Sequence, residues 1–308
     1  MEFGPHLTLA IIEGAVAAAV LALTAMGLSL VFGVMRVVNV AHGEFFMVGA
    51  VIAWFAATTV ADATGGPPAL GFVTALVLAP LLVGALAAAS DWAVIRRVEY
   101  DPERTILATI GLLYILQQAA LMGYGPEARP VEPPFNTRIA LPWLEGGEIV
   151  YPWGFGTTTY KLFVIGAAAA IGMAVWAVLA RSRIGLLMRA TQEDREMATA
   201  FGIATGRVYA LTFAFGAGLA ALAAVLIVPI SQAHYLMGGD PLLLSFIVVI
   251  IGGLGSLRGT VIAAVLVGMS DGIISVFFSP TLAKILATVL VAMVLVFRPQ
   301  GLYGSRPA

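Results

Sequence analysis

The stretch GLSLVFGVMRVVNVAHGEFFMVGA, residues 27–50, contains two apolar runs with hardly any loop between them. The runs are interrupted by Arg36, Asn39, His42 and Glu44. An ionisable side chain at membrane depth costs about 2.5–3.5 kcal/mol on insertion scales, so such residues indicate a transport pathway or an internal pair. The stretch therefore predicts a membrane protein in which two helices meet at a polar break.

A second broken stretch is IGGLGSLRGTVIAAVLVG, residues 251–268, which is apolar but rich in glycine. Discontinuous helices at corresponding places in two halves of a chain are typical of a transport pathway, because their open backbone groups need water or substrate. Close packing between helices is the alternative explanation for the glycines.

The composition of the whole chain agrees with a membrane protein. Of 308 residues, 60% are hydrophobic and 11% charged, and the mean hydropathy is +0.99. Soluble domains carry about 25% charged residues. The net charge of −1 offers no basic field for nucleic acid, the absence of cysteine excludes thiolate chemistry, and the three histidines are too far apart for a local metal motif. No cofactor is expected.

Apolar runs without charged residues define the expected spans, since a crossing needs about 20 mostly apolar residues. Six runs qualify or nearly do, namely 14–35, 45–61, 63–90, 105–126, 162–180 and 208–233. Residues 241–297 are interrupted only by Arg258, Asp271 and Lys284 and predict two or three further crossings. We expect one all-α transmembrane domain over residues 1–308, with about eight or nine spans and broken or re-entrant segments.

The arginines predict the orientation of the chain. They cluster at residues 96–104 and 181–207, which the positive-inside tendency places in the cytoplasm. The stretch 125–160 is acidic and proline-rich and is expected outside. Asn136 is then external and Thr191 cytoplasmic, and the N-terminus is external if 241–297 crosses three times. A cleavable signal peptide is not expected, because the first apolar run is too long and no basic region precedes it.

Four motifs together resemble the permease subunit of bacterial branched-chain amino acid ABC importers, of the LivH type. They are the two broken stretches, RSRIGLLMRATQEDREMATAFGI at 181–203 and FRPQGLYG at 297–304, and they span residues 27–304. The resemblance implies an inner-membrane protein that works with two ATP-binding subunits, a second, related permease and a periplasmic substrate-binding protein. Urea and short-chain amide permeases share much of this pattern, so they remain the alternative.

The chain lacks the sequence needed for ATP hydrolysis. A Walker A loop places a lysine directly after a glycine, whereas Lys161 and Lys284 follow Tyr160 and Ala283. We therefore expect a transport subunit and not an enzyme. An autonomous secondary transporter is a further alternative, but the scattered Glu44, Asp91 and Asp271 make a poor ion-coupling chain.

A pathway for a hydrophobic amino acid is expected to be apolar with a few polar partners and without tight binding, which would slow release. The candidate residues come from the two broken stretches and are Ser29, Asn39, His42, Glu44, Gly252, Gly253, Gly255 and Ser256. The structural alternative is that Asn39 caps the second helix with Glu44 near its positive end, and that the serines bond to their own helices.

The loop 181–207 is the candidate site of coupling to the ATPase, and its core 188–203 predicts a helix. Its apolar knob comprises Met188, Ala190, Met197, Ala198 and Phe201. The rim comprises Arg189, Glu193, Asp194, Arg195 and Glu196, and the expected stop signals are Gly202 and Gly206. In family terms this is the coupling helix, similar to the EAA loop of related permeases. The alternative is a solvated basic loop that only satisfies the positive-inside tendency.

Overall fold

The computed structural model describes residues 3–135, 158–298 and 300–303. Over these residues the chain is helical, without a β-strand, and a single isolated bridge joins Arg129 to Ala233. Asn136 and most of the predicted external loop lie outside the described residues. In chain order the helices are α1 Phe3–Met35, α2 His42–Thr64, α3 Pro68–Ala93, a 3-10 helix Ile95–Val98, α4 Pro102–Gly123, α5 Thr159–Arg181, α6 Arg183–Glu193, α7 Arg195–Ala200, α8 Thr205–Ser231, α9 Gly239–Gly252, α10 Leu257–Phe277 and α11 Pro280–Phe297.

Eight helices of the described chain are long and apolar enough to cross a membrane, and α9 is a shorter apolar helix. The expected all-α fold with about eight or nine spans is therefore confirmed. Helix α1 begins earlier than the predicted run 14–35. Glu13 lies within the helix, and its carboxylate forms an ion pair with Lys161 of α5, which compensates its charge.

Helix α1 is the central helix, with α8 on one face and α10 on the opposite face. The close approach depends on glycines, because a side chain on either helix would meet the backbone of the other. Several of the described glycines meet backbone to backbone, among them Gly27 with Gly216, Gly33 with Gly255, Gly43 with Gly238, and Gly252 with Gly259.

The loops group at two ends of the bundle. We call one end the arginine-rich end. There, Arg36 forms a hydrogen bond with Gln192, and the Arg195 guanidinium stacks on the ring of Tyr100. Its cations are Arg36, Arg96, Arg97, Arg104, Arg181, Arg183, Arg189, Arg195, Arg207, Arg258 and Arg298. We call the opposite end the arginine-poor end. It contains the remaining cations of the described residues, namely Arg129, which forms the backbone bridge, and Lys161 and Lys284, which form ion pairs.

Candidate pathway and coupling site

The first break separates α1 from α2 inside the bundle. Helix α1 ends at Met35, and Arg36 adopts a φ of 55°, which reverses the chain. Residues 36–41 return beside α1, and α2 begins where His42 Nε2 lies 2.9 Å from the carbonyl oxygen of Thr24. Thr24 precedes Met35 by about 16 Å of helix at 1.5 Å per residue, so α2 begins well within the depth of the bundle.

Side chains satisfy the open backbone of this break. Asn39 Oδ1 accepts a hydrogen bond from Ala41 N at 3.1 Å, and Thr109 Oγ1 of α4 accepts one from Val40 N at 3.2 Å. The expectation that Asn39 caps α2 directly is wrong, because the cap residue is Ala41. Asn39 instead closes the turn just before the helix.

Three of the candidate pathway side chains at this break are buried. Asn39, His42 and Glu44 expose 1%, 0% and 3% of their surface. Among the described residues, His42 Nδ1 and Glu44 Oε2 have no hydrogen-bond partner. Buried polar atoms are normally paired, so the first break holds unused hydrogen-bonding capacity. Glu44 also lies in the first turn of α2, where the helix dipole favours its charge.

The second break separates α9 from α10 at the arginine-rich end. Gly253 and Gly255 adopt φ values of 101° and 79°, which side chains rarely allow. Ser256 Oγ then caps α10 by accepting a hydrogen bond from Gly259 N at 3.2 Å. This confirms a discontinuous helix, and the capping role of Ser256 agrees with the structural alternative for that residue.

The C-terminal motif completes the second break. Leu302 N donates to the carbonyl oxygen of Ile251 at 2.8 Å, and Tyr303 N donates to that of Gly252 at 3.1 Å. These bonds satisfy two of the last carbonyl groups of α9, which have no partner within the helix. Leu302 and Tyr303 of the C-terminal motif are thus part of the second break in space, although about 50 residues separate them from α9 along the chain.

The candidate pathway residues form two groups on opposite faces of α1. Ser29 faces α10, where its hydroxyl accepts a hydrogen bond from Thr260 Oγ1 at 3.0 Å, and so joins the second break. His42 packs against the other face, beside Thr24 and Gly27. Within one chain, Asn39, His42 and Glu44 are therefore separated by α1 from the glycines of the second break.

The coupling segment consists of two helices and not the single helix predicted. Asp194 adopts an extended conformation between α6 and α7 and caps α7, where its Oδ1 accepts a hydrogen bond from Met197 N at 2.9 Å. Gly202 ends this segment with a φ of 82°, as predicted. Gly206 does not act as a stop signal, because it lies in the first turn of α8.

The predicted apolar knob divides into an inner and an outer part. Met188 and Ala198 expose 3% and 4% of their surface and hold the segment on the bundle, so assigning them to an external knob was wrong. Met197 and Phe201 expose 53% and 80%, although they are large and apolar. The exposed part of the knob is therefore formed by α7 and its end.

Two arginines of the predicted charged rim form contacts within this chain. Arg189 donates to the carbonyl oxygen of Leu179, and the Arg195 guanidinium lies 5.8 Å and 5.4 Å from the ring centres of Tyr100 and Tyr209. Burial, reinforced by the charge of Asp91, raises the pKa of Tyr100 to about 12, so this ring stays neutral beneath Arg195. Glu193 and Glu196 are exposed.

One contact joins the coupling segment to both breaks. Arg36 Nη2 donates to the backbone oxygen of Gln192, the second-last residue of α6, at 3.2 Å. The Gln192 side-chain amide also lies beside Gly33 and Gly255 where they meet. Gln192 was not among the predicted site residues, and the sequence holds no signal for it because its partners are remote along the chain.

The family model described as branched-chain amino acid transport system, permease component, matches residues 10–297 of this chain. The chain belongs to this permease family. As a member of the family with eight apolar helices, it is a multi-pass transport subunit of the bacterial inner membrane.

Curated relatives of this permease cover nearly its whole length. It is 28% identical to the high-affinity branched-chain amino acid transport system permease protein BraD of Pseudomonas aeruginosa, over 97% of this chain and 96% of the relative. It is 29% identical to the high-affinity branched-chain amino acid transport system permease protein LivH of Escherichia coli K12, over 92% of this chain and 91% of the relative. A probable branched-chain amino acid permease, LivH of Methanocaldococcus jannaschii, is 22% identical over 96% and 92%. No solved structure matches the permease.

Proposed function

We propose that this permease passes branched-chain amino acids from a periplasmic binding protein to the cytoplasm, driven by separate ATPase subunits. The proposed importer contains two ATP-binding subunits and a second, related permease. The relatives that match nearly the whole chain are branched-chain amino acid permease proteins, and this supports the substrate class. No described feature favours urea or a short-chain amide over these amino acids.

The proposed orientation places the arginine-rich end in the cytoplasm. Eleven of the cations carried by the described residues lie at that end and three at the other, and a bias of this kind orients membrane proteins. The segment α6–α7 then faces the ATPase subunits, and the arginine-poor end faces the binding protein.

The contact of Gln192 with Arg36, Gly33 and Gly255 is the observation that supports coupling most directly. In our proposal, the ATPase subunit binds the side chains of Met197 and Phe201 and, when it changes conformation, displaces α6 and α7. Because Gln192 lies where the two glycines meet, this shift changes the packing of α1 against α10. Close packing responds to such a shift by switching between arrangements and not by stretching.

The proposed pathway uses the polar groups of the two breaks. Ser29, Gly252, Gly253, Gly255 and Ser256 offer backbone and hydroxyl groups on one side of α1. The residues of the other side, Asn39, His42 and Glu44, offer the unpaired atoms of the first break. Weak contacts of this kind suit passage, because a substrate that binds tightly leaves slowly.

Reconstitution in proteoliposomes tests the function. The permease with its partner permease, two ATPase subunits and the binding protein should accumulate leucine against a gradient when ATP is supplied. The permease alone should neither hydrolyse ATP nor accumulate leucine, since it lacks a phosphate-binding loop. Concentrative uptake by the permease alone would refute the proposal, and ATP-driven uptake of urea without leucine would establish the alternative substrate.

A further inference from the structure

A cavity of about 370 Å³ opens at the arginine-poor end, between α1, α2, α8 and the beginning of α9. We call it the outer pocket. Its volume falls within the range of about 300–1,000 Å³ that is usual for small-molecule sites. It belongs to neither group of pathway residues, since none of the predicted site residues lines it.

The floor of the outer pocket is apolar. Val20 of α1, Phe46 of α2 and Ile227 of α8 form it. Val20 and Phe46 are buried, with 8% and 2% of their surface exposed. A floor of this composition binds an aliphatic group by removing it from water, at about 25 cal/mol per Å² of apolar surface buried.

The rim of the outer pocket contains one group that attracts an anion, the N-terminus of α9, and one that attracts a cation, the carboxylate of Asp240. Gly239, the first residue of α9, lines the pocket, and no described side chain caps this helix. The open N-terminus of a broken membrane helix favours a carboxylate. Beside it, the exposed side chain of Asp240 pairs with Lys284, with Oδ2 2.6 Å from Nζ, which leaves the other carboxylate oxygen as an acceptor for a cation.

The pocket also lies beside the first break. Gly43 of this break is in backbone contact with Gly238. Gly238 directly precedes the lining residue Gly239, and Gly43 lies three residues before the lining residue Phe46. Phe46 follows His42 by about one turn of α2. The buried polar groups of the first break therefore lie next to the outer pocket, about one turn of α2 further into the bundle.

We propose that the outer pocket binds a zwitterionic α-amino acid with an aliphatic side chain before it enters the pathway. The substrate carboxylate lies at the N-terminus of α9, its ammonium at Asp240, and its side chain on Val20, Phe46 and Ile227. The identity of the ligand rests on the proposed function. The places of its carboxylate, ammonium and side chain are inferred from the residues of the pocket.

The absence of cysteine makes a labelling experiment possible. Ser231→Cys places a thiol in the wall of the pocket, and Ala63→Cys places one on the exposed end of α2 at the same end of the bundle. The permease is assembled with its partner permease and ATPase subunits, without binding protein or ATP, and treated with a small maleimide. Leucine should slow labelling of Ser231→Cys about threefold when two thirds of the pockets are filled, and should leave Ala63→Cys unchanged.

Analogues and one further substitution test the separate contacts. The compounds 4-methylpentanoate and 3-methylbutylamine retain the aliphatic group but carry one charge each, so they should protect less than leucine does. Asp240→Asn should weaken protection by leucine without weakening protection by 4-methylpentanoate. Equal protection of Asp240→Asn and the parent by leucine would refute the role of Asp240.

Labelling is independent of transport, so failures of the two proposals are distinguishable. If leucine is taken up by the complete importer but never protects Ser231→Cys at any concentration, the outer pocket is not a substrate site and the proposed function stands. If leucine protects Ser231→Cys but no uptake occurs with all partners present, the site stands and the importer proposal fails. Uptake by the Ser231→Cys importer confirms that the variant is folded.

Discussion

At the scale of single residues, Arg36 connects the first break to the coupling segment. Its backbone turns the chain at a positive φ, and its guanidinium bonds Gln192 across 156 residues. The break was predicted from the charge of Arg36 and from the polar residues near it in the sequence. The contact with Gln192 was not predicted, because a hydrogen bond to a backbone oxygen does not depend on the residue type at that position.

We predict that Arg36→Met lowers the number of leucine molecules taken up per ATP hydrolysed. The substitution keeps an unbranched side chain but removes the guanidinium and with it a hydrogen bond worth about 1 kcal/mol, so we expect about a fivefold loss of coupling. Arg36→Lys retains a donor and should recover part of the loss. Leucine uptake and ATP hydrolysis are measured in the same proteoliposomes. If the number of leucine molecules taken up per ATP is unchanged in Arg36→Met, this contact has no part in coupling.

We predict that Gly255→Ala destabilises the permease by about 1–3 kcal/mol and reduces uptake in what still folds. Gly255 has a φ of 79°, and an added Cβ would lie 2.9 Å from the Cα of Gly33. Gly111→Ala is the matched control, since open space surrounds Gly111 on α4. Thermal unfolding in detergent and uptake are the measurements, and equal behaviour of both variants would contradict the packing described for the second break.

At the scale of elements, α6 and α7 show what sequence patterns resolve and what they leave open. Helix-forming residues between 188 and 203 predicted helix correctly, but the division at Asp194 was missed because Asp is tolerated within a polar helix. The inner and outer parts of the apolar knob were also indistinguishable, since Met188 and Met197 have the same side chain. Only the packing of α6 on the bundle buries one and exposes the other.

We predict that Met197→Asp and Phe201→Asp weaken binding of the ATPase subunits while the permease remains in the membrane. Both side chains are exposed, and a central interface contact is commonly worth 2 kcal/mol or more, which is about 30-fold in affinity. Ala204→Asp introduces the same charge at the start of α8, where Asp is a favourable cap. Pull-down of the ATPase subunits that is equal for all three variants would show that α7 is not the contact.

At the scale of the whole molecule, the sequence predicted the number and type of elements better than their arrangement. The apolar runs located the spans because the bilayer sets their length. The central position of α1 between α8 and α10 was not predicted, since glycines with neighbours far along the chain give no periodic pattern. For the same reason, Ser29 was assigned with Asn39 and His42 to the first broken stretch, whereas its hydrogen bond with Thr260 places it at the second break.

We predict that Ala63→Cys reacts with an impermeant maleimide added outside intact cells and that Ala200→Cys does not. Both positions are exposed, and they lie at the arginine-poor and arginine-rich ends. Thr191 is unsuitable as the cytoplasmic probe because it exposes only 2% of its surface. Ala200→Cys should become reactive after the membrane is opened and the ATPase subunits are removed, and the opposite labelling pattern would reverse the proposed direction of import.

The facing glycine pairs have a consequence for genetics. When a large side chain replaces a small one in an ordinary core, a second mutation that shrinks a neighbour commonly restores the space. Gly27 and Gly216, or Gly43 and Gly238, have no side-chain atoms to lose, and each faces the backbone of its partner. A selection for suppressors of Gly27→Val should therefore return true revertants and smaller residues at position 27, but no compensating change at position 216.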